Sequence, residues 1–151
     1  MTGPALWFEE FQEGQTFESA SHTPSRDEII AFAQDWDPQP FHLDDAAAAK
    51  TVFGGIIASG IHTVALTSRL LFDLGILNGT AIAGLGLDEL RFHKPVFPGD
   101  TLRVRAKVIQ TRPTSKPGQG TVSLAMETLN QHGQRVYSAQ LSVLVSGRSG
   151  S

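Results

Sequence analysis

A carboxylate and an imidazole stand close together in one short segment that also holds two prolines. The segment is Asp37-Pro-Gln-Pro-Phe-His42. Continued as an α-helix, it would turn the Asp37 and His42 side chains about 140° apart. The prolines oppose such a helix, because each fixes its own backbone and pushes its predecessor towards extended geometry. We therefore expect a stiff connector that aims both side chains at one point, where they form an acid/base pair.

Other roles stay open for these residues when each is considered alone. Asp37 could be an acid at a helix end or turn, and His42 could be structural. A metal site built from Asp35, Asp37, His42 and Asp44 is conceivable, but the sequence lacks the helical His-x-x-x-His spacing that would support it. We expect no metal.

The composition is that of an ordinary globular domain in water. Of the 151 residues, 40% are apolar and 18% are charged, and this length suits one domain. The absence of cysteine excludes a disulfide framework, a thiolate zinc site and a thiol nucleophile. The chain begins without a signal-peptide pattern, and no apolar run approaches the roughly 20 residues that span a bilayer. We expect a cytoplasmic protein with no membrane partner.

Acidic and basic residues are divided unequally along the chain. Residues 1–90 hold three basic residues against thirteen acidic ones, whereas residues 91–151 hold nine basic residues against two acidic ones. Two interpretations stay open: two surfaces of one fold that an oligomer could match, or a basic half that receives an anionic ligand arm. We expect no nucleic-acid partner, because the net charge is −3 and no aromatic-basic motif occurs.

The hydrophobic periodicity predicts three helices. The first starts at a Ser25 cap, with Glu28 completing a capping box, and ends near residues 34–35 ahead of the prolines. A short second helix covers 44–50. The longest helix covers 59–74, and it is apolar on most sides, which indicates a buried helix.

The rest of the pattern has a period of two, which is typical of strands. Strands are predicted over 14–20, 81–92, 101–111, 121–130 and 134–145. In the last strand the apolar phase changes at Val136, which indicates a bulge or a change of exposure. This order predicts an α+β fold in which a curved antiparallel sheet wraps around the helix at 59–74. We expect one domain over residues 1–146, a disordered tail over 147–151, and a partner subunit that covers the rest of that helix.

Two segments resemble one known family. Residues 37–42 resemble the Asp-x-Asn-Pro-x-His signature of the MaoC-like dehydratases, also called (R)-specific enoyl-CoA hydratases, and Ala48 matches the small residue that follows this signature. Residues 91–102 are similar to the family's Arg-Phe-x-x-Pro-Val-x-x-Gly-Asp-x-Leu segment. The resemblance spans about 14–146 and implies the hotdog fold. Four positions depart from the family pattern, and we expect them to bear on substrate choice: Trp36, Gln39, Phe41 and Ser59.

The resemblance implies the reversible hydration of a trans-2-enoyl-CoA to a 3-hydroxyacyl-CoA, a step of fatty acid metabolism. Asp37 and His42 would share one water, one as base and the other as orienter and acid. The free backbone N–H of Gly60 would stabilise the thioester oxyanion at the start of the helix. Substrate-binding roles are expected for Ser59, Gly55 and Gln39, although Ser59 is most simply a helix cap and Gly55 could be a turn glycine. The CoA phosphates would be received by Lys94 and Arg105.

Two other functions remain possible on the same scaffold. One is a hotdog acyl-CoA thioesterase, although the spacing of Asp37 and His42 favours hydration. The other is a non-catalytic acyl-CoA-binding subunit, which the departures at Trp36 and Gln39 allow. In each case the CoA thioester is the ligand, and no separate cofactor is expected. The expected assembly is a homodimer or a dimer-based higher oligomer.

Overall fold

The computed structural model of the protein describes residues 3–148. Within this range the chain forms three α-helices: α1 (Arg26–Trp36), α2 (Asp45–Ala49) and α3 (Gly60–Asp73). It also forms five strands: β1 (Thr16–Glu18), β2 (Ala81–Phe92), β3 (Arg103–Pro113), β4 (Gln119–Leu129) and β5 (Arg135–Ser146). Single turns of 3₁₀-helix cover Phe8–Glu10 and Pro40–His42. None of the helices in the described range is long and apolar enough to cross a membrane.

The five strands form one antiparallel sheet in the order β1-β3-β4-β5-β2. The α+β prediction is therefore confirmed. Strands β3, β4 and β5 follow one another through short connections, whereas β2 pairs with β5 at the far edge. The β4–β5 register shifts between Thr128 and Leu129, opposite Val136. This irregularity explains the predicted change of phase in the last strand.

Helix α3 packs on the sheet through one side only. It buries His62, Thr63, Thr67, Leu70 and Leu71, and Thr67 shares a 2.5 Å hydrogen bond with Thr128 of β4. Ile61 and Phe72 point away and are 56% and 54% exposed. Within a single chain the sheet therefore covers only one side of α3, as the sequence led us to expect, and the partner subunit that would cover the other side stays a prediction.

The first helix starts at the predicted cap and ends one residue later than predicted. It continues to Trp36, and the Asp37 N–H still donates to Ala33 O at 2.9 Å, because Pro38 restricts only the residue directly before it. At its start, Ser25 Oγ accepts the Glu28 N–H as predicted. The Glu28 carboxylate does not complete a capping box, since it binds His22 instead.

The two halves of the charge split meet within the chain. Arg148 Nη2 lies 2.9 Å from Glu10 Oε2, and Arg105 Nε lies 3.5 Å from Glu18 Oε1. The Gly147 N–H donates to Gly118 O at 2.8 Å. Gly147 and Arg148 are therefore held in place, contrary to the predicted disordered tail, and the rest of that tail lies outside the described residues.

Candidate active site

The two prolines shape the connector between α1 and α2 as one tight turn. After α1 ends, Gln39 is extended, and Pro40 starts a single 3₁₀ turn in which the His42 N–H donates to Gln39 O at 2.9 Å. The turn points His42 inwards, so that only 3% of it is exposed. The connector is therefore not α-helical, as predicted, and it forms a turn.

The connector brings the predicted acid/base pair together. His42 Nε2 lies 3.5 Å from Asp37 Oδ2. On the other side of the ring, His42 Nδ1 lies 2.7 Å from Ile57 O. A carbonyl only accepts, so Nδ1 carries the hydrogen, and Nε2 of the neutral ring is an acceptor that faces Asp37.

Two further side chains hold the Asp37 carboxylate. Ser59 Oγ donates to Oδ2 at 2.6 Å, and Gln39 Nε2 donates to Oδ1 at 3.0 Å. The Ser59 hydrogen bond is the larger cause of a lowered pKa for Asp37, and the Gln39 hydrogen bond is the second. Asp37 is therefore held in its ionised form.

The start of α3 lies beside this pair. Ser59 caps the helix, because its Oγ accepts the Ile61 N–H at 3.2 Å. The Gly60 N–H finds no acceptor among residues 3–148, and it lies at the positive end of the α3 dipole. A Cβ on Gly60 would come within 2.7 Å of Phe92 Cζ. Only glycine fits here with that ring in place.

The pair and the helix start open onto one cavity of about 370 Å³. This volume lies in the usual range of about 300–1,000 Å³ for small-molecule sites. Most of its wall is apolar, from Phe41, Phe53, Ile57, Phe92 and Val96. A polar end beside an apolar wall suits a ligand with a polar reacting group and an acyl chain.

The cavity gathers five of the eight predicted site residues, namely Asp37, His42, Gln39, Gly60 and Lys94. Ser59 is not part of the wall, but it touches the site through its hydrogen bond to Asp37. Gly55 does not line the cavity, and a Cβ placed on it would meet nothing within 4 Å. Its predicted role in substrate binding therefore has no support from its position.

Arg105 does not join these residues. It alternates with the buried Val104 and Ala106, so its side chain lies on the other face of the sheet. There it lines a separate depression with Lys107 and Arg135. The structure does not bring Arg105 to the cavity that holds Asp37 and His42.

Sequence reasoning missed several residues of the wall. Phe92 and His93 lie in the family-like segment at 91–102, which could have marked them. Phe53 directly precedes the turn at Gly54, whose φ is 72°. Thr63 carried no signal, because it belongs to a helix whose periodicity does not show which side meets a cavity. The described residues hold no group of three or more His, Asp or Glu side chains that could bind a metal ion.

Comparisons with known proteins place this chain in a family. A family model described as a MaoC like domain matches residues 10–129. The chain is 37% identical over 137 residues to the uncharacterized protein YdeM of Bacillus subtilis, covering 91% of this chain and 96% of that protein. It is 34% identical over 113 residues to a 3-hydroxybutyryl-CoA dehydratase of Methylorubrum extorquens, covering 72% of this chain and 67% of that protein.

A solved structure gives the same result. The MaoC-like dehydratase from Rhodospirillum rubrum matches with a TM-score of 0.89 and 41% identity, over 95% of this chain and 99% of that chain. The chain therefore belongs to the MaoC-like domain family. It has the hotdog fold, a curved sheet packed around a central helix. The resemblance drawn from the two sequence segments is confirmed.

Proposed function

We propose that this protein is a hydratase/dehydratase that reversibly adds water to a trans-2-enoyl-CoA, giving a 3-hydroxyacyl-CoA. The observation that carries the proposal is the meeting of Asp37, His42 and the free Gly60 N–H in one cavity. The name of the 34% identical relative, a 3-hydroxybutyryl-CoA dehydratase, supports the same reaction class.

The pair is suited to holding one water molecule. Asp37 Oδ2 and the bare Nε2 of His42 are both acceptors, and they face each other across 3.5 Å. A water that donates one hydrogen to each acceptor satisfies both and turns its oxygen lone pairs away from them. Positioned acid/base groups of this kind contribute ~10²–10⁴-fold to a rate.

The start of α3 is suited to the charge that develops during the reaction. When water attacks C3 of the enoyl group, electrons move from the C2–C3 double bond onto the thioester oxygen. The Gly60 N–H and the α3 dipole would stabilise that oxygen, and one such donor is worth ~10²–10³-fold. The apolar wall formed by Phe53, Ile57 and Val96 would hold the acyl chain. Lys94 is the cavity residue suited to a CoA phosphate.

The test is an assay with crotonyl-CoA in which loss of the enoyl absorbance and release of free thiol are followed together. Loss of absorbance without thiol is expected. Thiol release would instead show a thioesterase. If neither signal changes while acyl-CoA still binds, the protein is a non-catalytic binder and the proposal fails.

We also propose that the working unit is a homodimer formed through β2. One protein of similar fold, from Mycobacterium tuberculosis, has a double hotdog fold, and another is the HadBC complex of the same organism. Within residues 3–148 the outer edge of β2 has no partner strand, and Ile82, Leu85 and Leu87 of this strand are between 42% and 55% exposed. Exposed apolar side chains on an unpaired edge favour pairing with another strand. Light scattering should give twice the 16.2 kDa mass of one chain, and a monomer at micromolar concentration would contradict this.

A further inference from the structure

Asp37 is bound by hydrogen-bond donors on both carboxylate oxygens. Ser59 Oγ donates to Oδ2 at 2.6 Å, and Gln39 Nε2 donates to Oδ1 at 3.0 Å. Ser59 is fully buried, and its Oγ also accepts the Ile61 N–H. The position of the Ser59 hydroxyl is therefore fixed from two sides, and its one proton is committed to Asp37.

This arrangement makes it costly for Asp37 to accept a proton. A proton on Oδ2 or on Oδ1 would neutralise the carboxylate charge that the Ser59 O–H and the Gln39 NH₂ stabilise. Either event weakens a hydrogen bond to a charged group, which is the strong kind. His42 can accept a proton without losing such a hydrogen bond, because its Nε2 receives none from a donor among residues 3–148.

We propose that Ser59 and Gln39 are positioning residues that keep Asp37 a fixed acceptor for the attacking water, so that His42 alone carries the proton. This inference rests on the proposed hydration. His42 Nε2 takes one proton from water as the water oxygen bonds to C3, and the C2–C3 double-bond electrons move to the thioester oxygen. The second water hydrogen stays hydrogen-bonded to Asp37 and becomes the product hydroxyl hydrogen. His42 then gives the first proton to C2, which restores the ring and completes the addition of one water.

The alternative, in which Asp37 is the base, predicts the opposite response to loss of Ser59. The Ser59 hydrogen bond is the main cause of the lowered pKa of Asp37, so its removal raises that pKa. A base with a pKa nearer to the working pH is a better base, and turnover would be unchanged or faster. If Asp37 is instead an acceptor that orients water, loss of the donor leaves it mobile and slows turnover.

The test compares Ser59→Ala with two other variants of the site. Ser59→Ala should lower kcat on the order of tenfold to a hundredfold, the worth of one hydrogen bond to a charged group, with little change in KM. Ser59→Thr keeps the hydroxyl and should recover most of the rate. Gln39→Leu should change kcat in the same direction by a smaller factor. The Gln39 side chain makes no capping hydrogen bond. A lower kcat in both Ser59→Ala and Gln39→Leu would therefore identify the contact with Asp37, and not helix capping, as the cause.

A matched control separates this contact from helix capping. Ser25→Ala removes the corresponding cap of α1, where Ser25 Oγ accepts the Glu28 N–H at 3.1 Å. It should lower the melting temperature and leave kcat unchanged. A Ser59→Ala variant as fast as the wild type, or a Ser59→Thr variant as slow as Ser59→Ala, would overturn the proposal.

A second readout does not depend on turnover. The Asp37 carboxyl carbon can be titrated by ¹³C NMR and assigned with Asp37→Asn. Its midpoint should rise in Ser59→Ala and stay at the wild-type value in Ser59→Thr and Ser25→Ala. The other titratable groups around Asp37 are His42 on the connector and His93 and Lys94 on the segment after β2, and these variants leave all three in place. An unmoved midpoint refutes the role of Ser59, whereas inactive wild-type protein with a moved midpoint refutes only the hydration.

Discussion

The starts of α1 and α3 are built from the same kinds of residues: a capping serine, a carboxylate and a histidine. At α1, Ser25 caps the helix, and the Glu28 carboxylate accepts from His22 Nε2 through both oxygens, at 3.0 and 2.8 Å. At α3, Ser59 caps the helix, and Asp37 and His42 stand 3.5 Å apart. Neither Glu28 nor His22 lines the cavity that Asp37 and His42 share.

The two sites differ in how many of their polar atoms already have hydrogen-bond partners. Glu28 and His22 satisfy each other directly, which leaves no position for a water between them. At α3, the hydrogens of Ser59 and Gln39 go to Asp37 and the Nδ1 hydrogen of His42 goes to Ile57 O. Two acceptors then face each other beside the Gly60 N–H, which has no acceptor among residues 3–148. A carboxylate next to an imidazole is therefore not enough for a catalytic site, and the unmet acceptors and the adjacent donor at α3 are what the proposed function requires in addition.

Substitutions in the two carboxylate–histidine pairs should give the largest difference in kcat between the α1 and α3 sites. Asp37→Asn and His42→Ala should each lower kcat by ~10²–10⁴-fold, the usual worth of a positioned acid/base group. Glu28→Gln and His22→Ala should leave kcat within about threefold, because the rate effect of a group depends on contact with the reacting atoms. Crotonyl-CoA turnover is the measurement, with circular dichroism to confirm that each variant is folded. Wild-type rates in Asp37→Asn or His42→Ala would remove that residue from the mechanism.

A substitution that obstructs the Gly60 N–H at the start of α3 should have the next largest effect on kcat. Gly60→Ala places a methyl group against the Phe92 ring, where Cζ would lie 2.7 Å away. Phe92 is 55% exposed and can move aside, so the fold should survive. The methyl and the displaced ring crowd the Gly60 N–H, and kcat should fall ~10²–10³-fold, as for loss of an oxyanion donor.

A double variant separates obstruction of the N–H by the added methyl group from crowding by the displaced Phe92 ring. Gly60→Ala with Phe92→Ala removes the clash and should restore the melting temperature but not the rate. At the corresponding position of α1, Arg26 faces solvent and pairs with Asp45 at 2.6 Å, so Arg26→Ala should not change turnover. Full activity in the double variant would show that the displaced Phe92 ring, and not the methyl group beside the N–H, was the cause.

The parts of this site that lie within one segment could be predicted from the sequence. Asp37 and His42 share a connector, and Gly60 starts a helix that periodicity marks clearly. The contacts of Ser59 with Asp37 and of Phe92 with Gly60 join distant segments, and no local pattern encodes them. Tertiary contacts also override local ones, as in the diversion of Glu28 from a capping box to His22.

The prediction for Arg105 failed for a different reason. In β3, Arg103, Arg105 and Lys107 alternate with the buried Val104, Ala106 and Val108, which places basic and apolar residues on opposite faces. The cavity lies on the apolar side, where the helices pack, so Arg105 could have been separated from it by the alternation alone. Lys94 follows the end of β2, and it does line the cavity.

The smallest expected effect is on the free energy of unfolding, through a histidine that contacts the α1 site. His62 of α3 stacks flat on Phe32, with ring centroids 4.4 Å apart, and its Nε2 lies 3.5 Å from Glu28 Oε2. Burial lowers the pKa of His62; Glu28 opposes this shift and His22 adds to it. As the pH falls below about 6.5, the usual value for histidine, the unfolded chain binds a proton that the folded chain resists. The free energy of unfolding should therefore decrease from pH 7.5 to pH 5.5.

Replacing His62 should remove this part of the pH dependence. One proton changes the free energy of unfolding by at most about 1.4 kcal/mol per pH unit. His62→Gln, followed by urea denaturation at several pH values, should flatten the curve below pH 6.5, whereas the exposed His132→Gln should leave it unchanged. An unchanged slope in His62→Gln would mean that His62 accepts a proton in the folded protein. The α1 site would then take up a proton in the folded protein, and its contrast with the α3 site would rest on the cavity and the Gly60 N–H alone.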